Sequence, residues 1–151
     1  MPNVVKESFL DDLRRRTGAI TKLPNSNSLY DIAGGATRIY IRYSKVHGRG
    51  STFYGLRQED LQQLEARPSF IVFLWDNQTE PLFLPFVAYE EVFRLAKPAP
   101  DGQYKAQVYL DSETLELYLA RTGRFNLEGL SGWPQLTSIL DNKTASVTPE
   151  L

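Results

Sequence analysis

Phe70-Ile71-Val72-Phe73-Leu74-Trp75 runs six apolar residues without a polar interruption. A strand with one wet face alternates apolar and polar side chains, so an unbroken run of strand length marks a strand covered on both faces. The segment therefore predicts the middle of a sheet. Downstream, Asp76 to Glu80 turns the chain and Pro81 to Val87 predicts the next strand, with Pro85 placing it near an edge or a bulge. Ala88 to Ala96 then predicts a short helix. Upstream, Leu61 and Leu64 within Glu59 to Arg67 predict a short amphipathic helix that ends before Pro68.

Further towards the N-terminus, Leu29 to Ile32 and Thr37 to Val46 are strand-like segments joined across Ala33-Gly34-Gly35-Ala36, the pattern of a hairpin. Val5, Phe9 and Leu13 recur at helical spacing, and Arg14 to Arg16 followed by Gly18 supply a cationic last turn and a stop, predicting a helix over 4–17. Beyond the proline-containing loop Lys97 to Gly102, Val108 and Leu110, then Leu115, Leu117 and Leu119, alternate with polar neighbours and predict a second hairpin around Asp111-Ser112-Glu113. Leu127, Trp133, Leu136, Ile139 and Leu140 predict a final loop and helix, and 142–151 lack apolar periodicity, as a frayed tail does. The order predicts an α/β (α+β) domain over 1–141, a mixed central sheet flanked by helices.

Composition narrows the function. The 151 residues contain no cysteine, which excludes disulfides, thiolate metal sites and Cys nucleophiles. No window reaches the roughly 18 apolar residues of a membrane span, and no apolar leader follows Met1, so a cytoplasmic protein is expected. Net charge is −1, but residues 1–57 carry ten Lys/Arg against four acids while the remainder carries seven against fourteen. Such asymmetry is what a chain shows when one face meets phosphate, although halves of a sequence need not be faces of a fold. There is no P-loop, no strand-linked Gly-x-Gly-x-x-Gly and no nucleophile elbow. His47 is the single histidine, which rules out a His-rich metal site and leaves a Ser-His-Asp triad only a loop residue as base.

Two groups of residues remain as candidates. One is Asp31, at the end of the first hairpin strand, beside the strand Arg38-Ile39-Tyr40-Ile41-Arg42-Tyr43-Ser44-Lys45. The other is the mixture of cations and aromatics from Arg38 to Arg57. Arg38, Arg42, Lys45, Arg49 and Arg57 are interleaved there with Tyr40, Tyr43, His47, Phe53 and Tyr54, and Gly48 and Gly50 bracket a basic loop. Cations meet phosphates, aromatic faces meet bases or sugars, and glycines let backbone N–H groups approach closely, so nucleic-acid contacts are expected at Arg38, Arg42, Lys45, His47, Arg49 and Arg57. Arg14-Arg15-Arg16 extends that footprint or simply satisfies a helix C-terminus.

The succession of a helix, a strand bearing an acid, an alternating strand, a helix and a buried strand resembles the αβββαβ core of the PD-(D/E)xK restriction-endonuclease superfamily, over about residues 4–90. The resemblance implies a DNA-binding protein that cleaves phosphodiester bonds with Mg2+, acting on double-stranded DNA as a homo-oligomer. It implies Asp31 as a metal ligand, with Glu7 of the first helix as a second. The family's Glu-x-Lys pair occupies alternate positions of one strand, hence one face. With Ile39, Ile41 and Tyr43 on the apolar face, it falls on Tyr40 and Arg42; in the other register it falls on Tyr43 and Lys45. Asp31, Tyr40, Arg42 and Lys45 are thus the catalytic candidates, and neither register puts a second carboxylate on the strand. Two further readings are a catalytically inactive reader of DNA or modified DNA, and a protein-interaction module that uses the later acidic residues and the aromatic segment from Phe70 to Phe93.

Overall fold

The structure is a computed structural model and describes residues 3–48, 50–110 and 115–138. Helix α1 (Val4–Thr17) starts at Asn3, whose side chain accepts from Lys6 N at 3.1 Å, and stops at Gly18, whose φ of 84° lets its N–H reach Arg14 O. The cap, the acid at Glu7 and the three terminal arginines follow the rules by which helix ends satisfy their free groups. Phe9, Leu10 and Leu13 form the buried stripe.

A first sheet holds β1 (Thr21–Lys22), β2 (Leu29–Ile32), β3 (Thr37–Ser44), β5 (Ser69–Trp75) and β6 (Leu82–Pro85), in that spatial order. β1, β2 and β3 are antiparallel neighbours, β5 lies parallel to β3, and β6 returns antiparallel at the far edge. A second sheet, antiparallel throughout, holds β4 (Tyr54–Arg57), β7 (Gln103–Tyr109), β8 (Glu116–Leu119) and β9 (Gly123–Asn126). α2 (Gln58–Gln63), prolonged by a 3-10 turn at Leu64–Ala66, carries the chain from β4 to β5, and α3 (Phe86–Leu95) follows β6.

Every residue of β5 is buried, as an unbroken apolar run requires. Phe70, Val72 and Leu74 join Phe9, Leu10, Leu13, Ile39 and Ile41 beneath α1. Ile71, Phe73 and Trp75 join Tyr40, Tyr54, Leu56, Val108 and Leu117 in a larger cluster on the opposite side. β7 has one covered face only, so Tyr104, Ala106 and Val108 are buried while Gln103, Lys105, Gln107 and Tyr109 are half-buried.

The expected single mixed sheet flanked by helices is corrected in one respect. α1 covers one face of the first sheet, but the second hairpin joins β4 and β9 in a separate sheet that, with α2 and α3, covers the other. β4 and β9 are four residues each and contain Gly55 and Gly123, too short and too polar for alternation to be visible. The Asp111 turn, Ile139, Leu140 and the expected tail lie outside the described residues. Among the described residues no helix is long and apolar enough to cross a membrane.

Candidate nucleic-acid interface

The β2–β3 hairpin closes with Ile32 opposite Thr37, which sets Asp31 opposite Arg38 and Leu29 opposite Tyr40. Paired residues of an antiparallel ladder point to the same face. The turn manages this by placing Ala33, Gly34 and Gly35 at φ of 53°, 66° and 90°, a left-handed stretch that two glycines make accessible. Arg38 holds the carboxylate in fork geometry, Nε to Oδ1 at 2.7 Å and Nη2 to Oδ2 at 3.2 Å. Arg67 adds a second cation, donating from Nη1 to Oδ2 at 3.3 Å and to Gly35 O at 2.6 Å. Arg38 Nη1 also donates to Gln63 O at 2.8 Å, tying the hairpin to the end of α2. The Arg38 residue is 6% exposed. The arginine expected to meet phosphate is therefore a buried partner of the acid expected to meet metal.

Tyr40 does not face a cleft. Its residue is 0% exposed in the cluster between the sheets, and its hydroxyl accepts from Arg57 N at 3.1 Å. Burial pushes the phenol up to about 12, against the opposing pull of the nearby Arg42 charge. The alternation of β3 is as expected, with Ile39 and Ile41 buried and Tyr43 partly buried towards α1, but the face opposite is a second core. Arg42 is half-buried on that side, donating to Ser28 Oγ at 3.1 Å with its guanidinium 5.5 Å from the Tyr40 ring centre. The aromatic run from Phe70, considered as a contact surface, is likewise interior: Phe70, Phe73, Phe83, Phe86 and Phe93 are all buried.

After β3 the chain leaves the sheet and is held by β7. His47 N donates to Ser51 O at 2.7 Å, Leu110 N donates to Gly50 O at 2.8 Å, and buried Thr52 exchanges hydrogen bonds with Val108 through its hydroxyl. Gly48 and Gly50, at φ of 53° and 110°, make the tight reversal. Lys45, Val46, His47 and Phe53 are exposed along this arm, with Phe53 at 55%, while its N–H donates to Ser44 Oγ. Arg57 is exposed and pairs with Glu59. Arg49 lies outside the described residues. The described cations of the first 57 residues do not share one face: Arg14 and Arg15 pair with Asp11 and Asp12 on α1, and Arg16 lies over Trp133, 4.4 Å from the ring centre.

A divalent-metal site does not fit the donors found here. Mg2+ wants an octahedral set of hard oxygens, usually including carboxylates free to ligate. Both Asp31 oxygens already accept from guanidinium groups. Glu7 belongs to α1, which packs on the Ile39 and Ile41 face, whereas Asp31 shares its face with Arg38 and is not brought beside it. Among the described residues no three His, Asp or Glu groups are gathered in a way that would hold a metal ion.

Comparison of the chain with known protein families, with curated proteins and with solved structures finds no match in any of the three.

Proposed function

We propose that the chain is a DNA-binding domain on a nuclease-like framework that reads duplex DNA without hydrolysing it. The observation that carries this reading is the occupation of Asp31 by Arg38 and Arg67 while Lys45, His47, Phe53 and Arg57 remain exposed on the neighbouring arm and β4. The order of elements supports the framework. A helix, three antiparallel strands, a helix and a strand parallel to the third match the αβββαβ succession that the resemblance implies, except that β4 of the second sheet intervenes between β3 and α2. With Arg38 opposite the acid and Arg67 beside it, guanidinium groups satisfy the carboxylate, and neither position that the resemblance gives to a second acid, Tyr40 or Tyr43, supplies one. Exposed cations and an aromatic then supply phosphate and base contacts. A reader that does not cut has no need of two active sites, so this reading does not require a homo-oligomer.

The test is duplex affinity measured by fluorescence anisotropy over roughly 50 to 200 mM salt, where log K falls by about 0.9 per phosphate contact per unit of log salt. The reading expects steep salt dependence in the native chain, a shallower slope in the Lys45→Ala, His47→Ala, Arg57→Ala triple variant, and no product with Mg2+ or Mn2+. Metal-dependent cleavage that Asp31→Ala abolishes would restore the catalytic assignment. Unchanged affinity in the triple variant would remove this surface from the reading.

A further inference from the structure

A pocket at one end of the second sheet brings together three cations from three separate segments. Lys97 comes from the loop after α3, Lys105 from β7 and Arg121 from the β8–β9 turn, with Tyr104, Leu119 and neighbouring alanines forming the walls. No carboxylate lines it. The frame is fixed by backbone bonds: Ala120 N donates to Lys105 O at 3.0 Å, and Ala99 N to Gln103 O at 2.8 Å. Lys105 is steadied by Asp101 at 2.7 Å, outside the lining. Lys97 and Arg121 are exposed, and among the described residues neither makes a hydrogen bond or ion pair.

Arg121 is also held at φ 65°, a left-handed conformation that glycine or asparagine adopts more readily at a turn. A long cation kept at such a position, beside unpaired Lys97 and the Asp101-paired Lys105 over apolar walls, forms a concavity of net positive charge in which an anion is attracted more strongly than on open surface. Three separate cations around a compact pocket suit the tetrahedral, multiply charged phosphate group. We propose that the Lys97, Lys105 and Arg121 pocket is a phosphate-binding site, apart from both Asp31 and the Lys45 to Phe53 arm. The phosphate comes either from a nucleic-acid backbone, in which case the site extends the footprint proposed above and rests on that reading, or from a free phosphorylated compound.

The full chain and its Lys97→Ala, Arg121→Gly double variant are compared. Glycine suits the turn backbone, so the variant is expected to fold. Thermal unfolding is followed with pyrophosphate against chloride at equal ionic strength, and duplex affinity is followed against salt. Pyrophosphate is expected to raise the native midpoint saturably beyond chloride and to lose that effect in the variant. If the duplex salt slope also drops by about 1.8 in the variant, as two lost phosphate contacts require, the backbone is the source. A lost pyrophosphate effect with an unchanged slope assigns the site to free phosphates. A chain that binds pyrophosphate but no duplex retains this pocket while ending the DNA reading. Equal midpoints in pyrophosphate and chloride, with an unaltered duplex slope, overturn the proposal.

Discussion

Arg38 stands directly across the β2–β3 hairpin from Asp31 and grips both of its carboxylate oxygens from a position 8% exposed at the side chain. Removing one member of such a pair strands the other charge in a place where water cannot fully replace it. Asp31→Asn is expected to lower the unfolding free energy by about 3 kcal/mol, in the range typical of broken buried pairs. Urea denaturation measures this directly, and a loss below about 0.5 kcal/mol, the scatter of ordinary surface substitutions, would show that the pair is not a structural element.

Tyr40 sets an alkaline limit. Its folded phenol is raised from 10.0 to about 12, chiefly by burial. Below pH 10 it is neutral in both states; from about pH 10 to 12 the unfolded chain releases the proton and the folded chain keeps it, so stability falls as pH rises through that window. A two-unit shift corresponds to roughly 3 kcal/mol. Tyr40→Phe is expected to flatten the decline, leaving the parts due to Tyr54, Tyr89 and Tyr104, whose phenols burial also raises, and to Tyr43, raised by its hydrogen bond to Asp76. Parallel stability curves for variant and native chain above about pH 10 would refute the assignment.

The two sheets bury one another, and β4 is expected to be coupled to β5 although they belong to different sheets. Leu56 and Phe73 are both fully buried in the shared cluster, and Tyr54 meets Phe73 edge-on at 4.8 Å. Leu56→Ala should cost about 2 to 5 kcal/mol, the usual range for a leucine truncated in a core. Far-ultraviolet and tryptophan signals should still shift together. Separation of the two transitions would mean that the second sheet unfolds alone.

Phe53 separates stability from recognition. Its ring is exposed and its backbone N–H, bonded to Ser44 Oγ, survives truncation. Phe53→Ala should change stability by less than about 0.5 kcal/mol. If its ring meets base edges in the groove, duplex affinity should fall by about 1 kcal/mol or more, the low end of what one good base contact contributes. Unaltered affinity would make the ring an incidental surface feature.

The elements that rest on local pattern were legible: α1, the first hairpin, β5 and the Pro85 edge follow from spacing within a few residues. The partner of Asp31 was also within reach, because counting back from both ends of Ala33-Gly34-Gly35-Ala36 pairs residue 31 with 38. Aligning the apolar face instead drew attention to Tyr40 and Arg42. Arg67 was not legible, since only the parallel pairing of β3 with β5 carries a residue 36 positions away to the same carboxylate. Nor was the pocket of Lys97, Lys105 and Arg121, whose members lie in the acidic part of the chain and meet only through the pairing of β7 with β8. Charge counted along a sequence registers neither event.

The margins of the first sheet offer a stranger very little to zip onto. On one side β1 is two residues long; on the other β6 stops at Pro85, and the outward N–H of Phe83 is already given to Leu130 O at 3.0 Å. Recruitment by strand donation, and the stacking into fibrils that begins the same way, are both discouraged at these borders. Whatever meets the margins of this sheet must be gripped by side chains.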